Sequence, residues 1–152
     1  MSEFDEHDAF VNDLKTKFPE MFFDDRCDIS ISKGWHSIVS ALCATIYWHY
    51  DWQRKTRARL LEDNPHGHKI PNAVEFPKIQ QVKEKFGGLR FYLDGADDYT
   101  NGAITMAESW AARTCEQCGA PGQRRTGGWI RTLCDTHEAE RQEQIAKRNA
   151  GV

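Results

Sequence analysis

The chain has 152 residues, of which 39% are hydrophobic and 28% charged, with a formal net charge of −3. That is room for one domain with a real core, or one domain plus a small metal-stapled extension, and it excludes three or more independent domains. The balance also excludes a disordered chain and the uniformly basic character of a dedicated nucleic-acid-binding domain.

The opening MSEFDEHDAF is acidic and polar, so it has neither the basic start nor the apolar run of a secretory signal. Residues 3–18 predict a short helix with Phe4, Phe10 or Val11, Leu14 and Phe18 on one stripe, ended by Pro19. From Met21 to Ile31 aspartates and aromatics cluster without a period, which predicts an irregular or partly extended segment. From Trp35 onward a long helix is expected, starting near Ser32 or Gly34, because Trp35, Ile38, Val39, Leu42, Ile46, Tyr47 and Tyr50 recur every three or four residues. Trp48 and Trp52 are four apart and are expected in the core. The pattern continues to Leu61 and stops at Asn64, Pro65 and Gly67.

Charge changes sign along this stretch. Residues 1–53 carry ten acidic and four basic side chains, whereas residues 54–90 carry nine basic and four acidic. The apolar-rich run from Ile38 to Tyr50 is too short for a membrane span, so no membrane association and a cytoplasmic location are expected. Two cysteines, Cys27 and Cys43, stand alone as small buried groups, and the other three lie close together, which suits a reducing compartment better than a disulfide scaffold.

After a loop from His66 to Pro77, Ile79–Phe86 and Leu89–Leu93 flank Gly87-Gly88, the strongest hairpin signal in the chain. Leu89, Phe91 and Leu93 alternate with Arg90 and Tyr92, giving one buried and one polar or aromatic face. Lys83, Lys85, Arg90 and Tyr92 are candidates for an interaction surface there. His66 and His68 are explained better as loop residues than as a metal pair. An acidic link from Asp94 to Gly102 follows, with Thr100 or Asn101 capping a helix through Ala103, Ile104, Met106, Ala107, Trp110 and Ala111.

That helix runs directly into Cys115-x2-Cys118, and fifteen residues later comes Cys134-x2-His137. Two such pairs bring three sulfurs and one imidazole to a single tetrahedral ion, which points to one structural Zn2+ held by Cys115, Cys118, Cys134 and His137. Gly119, Pro121 and Gly122 turn the chain, Gln123–Leu133 predicts a short hairpin with Trp129 covering the metal, and Asp135 or Thr136 starts a last helix. Knuckle, hairpin and ligand-bearing helix together resemble a treble-clef zinc finger. Arg124, Arg125 and Arg131 surround that hairpin and are the other interaction candidates. Four protein ligands leave no open position for water, and no catalytic triad or phosphate-binding glycine motif is evident, so no enzyme is expected.

The segments KEKFGGLRFY, AES, CEQCGAPG and GWIRTLCDTH together resemble an uncharacterised family of small proteins from bacteria and their phages. The resemblance covers roughly the C-terminal half and implies a phage or mobile-element origin rather than an activity. The expectation is one composite α+β domain over residues 1–152, with a helical body, a β-hairpin and a treble-clef-like zinc-finger subdomain over 113–149. The expected function is non-enzymatic protein binding, in an accessory or regulatory role and directed at a host factor if the chain is phage-encoded. The alternative is nucleic-acid binding by the basic middle block and the finger hairpin.

Overall fold

The structure, a computed structural model, describes residues 2–23 and 26–151. It is an α+β fold: α1 (Glu3–Lys17), β1 (Asp28–Ser30), α2 (His36–Glu62), β2 (Lys78–Lys85), β3 (Gly88–Asp94), α3 (Asp98–Ala111), β4 (Gln123–Arg125), β5 (Arg131–Leu133) and α4 (Asp135–Ala150). One sheet has the order β1-β2-β3, with β1 parallel to β2 and β2 antiparallel to β3; β4 and β5 form a separate antiparallel pair. Among the described residues no helix is long and apolar enough to cross a membrane.

The core lies between α1, α2, α3 and one face of the sheet. Phe10 and Leu14 of α1 meet Val39, Leu42, Cys43, Ile46 and Tyr50 of α2, with Ile79, Val82, Leu89 and Phe91 beneath them. Phe4, placed on the same stripe by periodicity, is exposed instead. Ser2 caps α1 through a reciprocal pair of bonds with Asp5. In β2, Ile79 and Val82 both face the core because a register shift between Ile79 and Gln81 resets the alternation.

Two local details differ from the sequence expectation. The hairpin turn is Phe86-Gly87, with φ of 53° and 75°, so Lys85 pairs with Gly88 and Gly88 belongs to β3. Both central residues are left-handed, as the turn that matches strand twist requires, and Phe86 accepts that conformation while staying exposed. The cap of α3 is Asp97, not Thr100 or Asn101: its carboxylate accepts the Thr100 N–H at 2.8 Å and meets His49 Nε2 at 2.6 Å.

Asp97 connects α3 to α2, and the buried Tyr50 hydroxyl extends the joint by accepting from Asp97 N–H and Thr100 Oγ1. Partial burial pushes the Asp97 carboxyl up, but the bonds from His49 and Thr100 outweigh it and bring it down to about 2. A carboxylate depressed on folding stabilises the fold above its unfolded value of about 4, and that contribution is lost as pH falls towards 2. Asp97→Ala is expected to cost about 1 kcal/mol at neutral pH, and the gap from wild type should close in urea titrations as pH is lowered below about 4.

Candidate metal centre

The finger is built by a chain that turns sharply at the knuckle and again between β4 and β5. Leaving α3, Thr114 bridges to Pro121, Cys115 N–H donates to Ala120 O at 2.7 Å, and Gly119 N–H donates to Cys115 O at 2.9 Å. Gly119 has φ of +79°, a conformation that a side chain would strain, which is why glycine closes the knuckle. Strands β4 and β5 then pair Gln123 with Leu133 and Arg125 with Arg131, returning the chain to Cys134. Cys134 is the N-cap of α4, its sulfur facing the His137 N–H at 3.5 Å, so the positive end of the helix dipole lies against a ligand thiolate.

The donor atoms of Cys115, Cys118, Cys134 and His137 all lie within 4.8 Å of one another, and this group can hold a metal ion. The spacings are 3.9 Å for Cys118 Sγ to Cys134 Sγ, 3.5 Å for Cys115 Sγ to His137 Nδ1, and 3.2 Å for Cys134 Sγ to His137 Nδ1. A tetrahedron with metal–sulfur bonds of about 2.3 Å and a metal–nitrogen bond of about 2.0 Å requires roughly 3.8 Å between sulfurs and roughly 3.5 Å between sulfur and nitrogen. The fit selects Nδ1 as the ligand nitrogen and leaves Nε2 facing the Glu140 carboxylate at 3.9 Å, on the next turn of α4.

The thiols are prepared for a cation. Burial raises Cys115, but backbone hydrogen bonds from Cys134, Cys118 and Gln117 outweigh it and bring the thiol down to about 6. At Cys118 the backbone of Ala120 favours the thiolate, yet the neighbouring sulfurs of Cys115 and Cys134 leave it raised. Three thiolates this close repel one another until a divalent ion neutralises them. Cys43, by contrast, is fully buried in the core, where burial pushes its thiol far up and keeps it inert.

Between the knuckle cysteines lies Glu116, a buried acidic residue that sequence reasoning did not single out. Its carboxylate accepts from Arg131 Nε at 2.6 Å and from Thr132 N–H at 3.2 Å, while its own N–H donates to Thr132 O. Its carbonyl accepts the Gly34 N–H at 2.9 Å, and Trp35 Nε1 donates to Thr114 O at 2.9 Å. A Cβ on Gly34 would lie 2.1 Å from Cys115 O, so glycine is what lets the segment before α2 touch the knuckle. Thr132 Oγ1 donates to Gly87 O at 2.5 Å, which seats β5 against the turn between β2 and β3. The finger is thus held to the body on two sides.

These contacts settle where the candidate arginines lie. Arg131 is committed to Glu116, and Arg125 to Asp135 at 2.7 Å and to Leu133 O at 3.2 Å, whereas Arg124 is exposed. Lys83 and Arg90 are direct cross-strand partners on the outer face of the sheet, and Lys83 Nζ sits 5.8 Å above the Tyr92 ring. Lys85 is exposed at the end of β2 beside Phe86. Trp129 does not cover the metal: it is 74% exposed and walls a cleft of about 650 Å³ with Phe4, Glu84 and Arg131.

Trp48 and Trp52 also depart from expectation, since they are 64% and 67% exposed rather than in the core. α2 carries two apolar stripes, and the one through Val39, Cys43, Ile46 and Tyr50 takes the core. The other, through Ile38, Ala41, Thr45, Trp48 and Trp52, lies beside Tyr99, Ala103, Met106 and Trp110 of α3 and forms two adjoining hollows of about 400 and 550 Å³. Spacing in the sequence shows both stripes, and only the contacts of α1 and the sheet decide between them.

No family model, no curated protein and no solved structure matches this chain. Glu116→Gln is expected to cost about 3 kcal/mol, because it leaves Arg131 without its buried partner. The double change Glu116→Gln with Arg131→Met should recover part of that loss in chemical denaturation. Gly34→Ala should lower the midpoint and the affinity for metal together, whereas Gly102→Ala, with open space around it in α3, should raise stability by about 0.5–1 kcal/mol.

Proposed function

We propose that this chain is a non-enzymatic accessory or regulatory protein, stapled by one structural zinc ion, that acts by protein–protein contact through the α2/α3 face. The exposed row of Trp48, Trp52, Tyr99, Met106 and Trp110 carries the reading. A soluble monomer seldom leaves so large an apolar patch to water, and aromatic anchors around hollows are the usual core of a protein interface. Three sulfurs and one imidazole suit zinc better than a hard cation, and a four-ligand shell supports a folding role over Lewis-acid chemistry.

One observation favours nucleic acid as a second reading. Lys83 faces Arg90 directly across the sheet, a like-charge pair with Lys85 and Tyr92 nearby and, among the described residues, only Asp28 of β1 as a neighbouring carboxylate that acts on Lys83. Arg125 and Arg131 do not join them, since both are tied to carboxylates within the finger.

Purified protein is expected to contain one equivalent of zinc and to lose it in Cys118→Ser. It should capture a saturable protein partner after nuclease treatment, and Trp52→Glu or Trp110→Glu should abolish capture with zinc content unchanged. Retention that instead needs intact nucleic acid, falls steeply with salt and disappears in Lys83→Glu with Arg90→Glu would replace this reading with the second.

A further inference from the structure

The inference here rests on the α2/α3 face being a protein-contact surface, and it concerns what covers that face. We propose that the occupant is a second copy of this chain, so that two copies join face to face about a two-fold axis.

Area is the first argument. Trp48, Trp52, Tyr99, Met106 and Trp110 are 54–69% exposed. With large side chains offering about 150–250 Å² each, the five together present on the order of 700 Å² of mainly apolar surface. A standard interface buries about 800 Å² per partner, so the row alone nearly supplies one. Burial of a single peptide segment in either hollow would leave most of it wet.

Shape is the second. A two-fold interface uses the same patch on both partners, so knobs and holes must occur together on it. Here they do. Ile38, Ala41 and Thr45 border the hollow walled by Met106 and Trp110, and Trp48 projects one helical turn beyond Thr45 on the same stripe. If two α2 helices cross antiparallel about a point midway between Ala41 and Thr45, Trp48 of each copy falls opposite Ile38 of the other. That position is the hollow beside Trp110. The small side chains at the crossing point allow the helices to approach closely.

Sedimentation equilibrium on the metal-loaded 152-residue chain tests this. The expected mass is twice the 17.5 kDa of one chain. Trp48→Glu and Met106→Lys, both at exposed positions, should each return it to one chain with metal content and circular dichroism unchanged. Lys83→Glu, on the sheet, should leave the dimer intact. A wild-type chain that stays at single-chain mass into the high micromolar range overturns the proposal, and so does a dimer that survives both face variants. If the wild type is monomeric but still captures a different protein in a Trp52-dependent manner, the dimer falls and the protein-contact reading stands; a monomer that captures nothing overturns both.

Discussion

The carboxylate of Glu116 lies inside the metal-binding knuckle but bonds away from the metal, to Arg131 and the backbone of Thr132. The same residue receives the Gly34 N–H on its carbonyl, so one position joins the knuckle, strand β5 and the start of α2. A charge this buried is tolerable only when paired and hydrogen-bonded, and here both conditions hold. Whatever orders the knuckle therefore orders its neighbours, and the metal ligands become part of the body of the protein.

The need for an ion follows from what the finger lacks. No residue of α4 is buried, and the finger's buried residues are few: Thr114, Cys115, Glu116, Thr132 and Leu133. A segment with so little apolar surface does not repay its own ordering entropy. Coordination of an ion by the Cys/His group would supply the missing stabilisation, while the Arg125–Asp135 pair and the bond from Arg141 Nη2 to Gly127 O fix the direction in which α4 leaves the centre. Because α4 is held mainly at its first turn, most of its length remains available to solvent.

Legibility in the sequence followed the distance over which each interaction acts. Ligand spacing, helix periods and the glycine-marked hairpin are local, and they placed α2, α3, β2, β3 and the Cys/His group. The turn at Phe86-Gly87 fell one residue from the expected Gly87-Gly88, because phenylalanine is an unfavourable choice for a left-handed position. The parallel pairing of β1 with β2 joins residues some fifty positions apart and has no local signal. Trp48, Trp52 and Trp129 were misplaced for one shared reason: hydrophobicity marks a side chain for burial without saying whether its own chain does the burying. Glu116 offered a faint clue, an acid between two cysteine ligands, whose meaning appears only when Arg131 and Gly34 are brought to it.

The protein presents two surfaces of different character, an aromatic groove between α2 and α3 and a basic sheet face at Lys83 and Arg90, on a scaffold whose finger is locked to both the helical body and the hairpin. The lock is the claim on which the placement of those surfaces depends. Hydrogen exchange of the metal-loaded and chelated protein, followed residue by residue, tests it most directly. The account predicts that removing the metal exposes the amides of Gly34 and Thr132 together with those of Cys115 and Gly119, while the α2 core stays protected. Loss of protection confined to the knuckle and α4, with Gly34 and Thr132 unchanged, would contradict it.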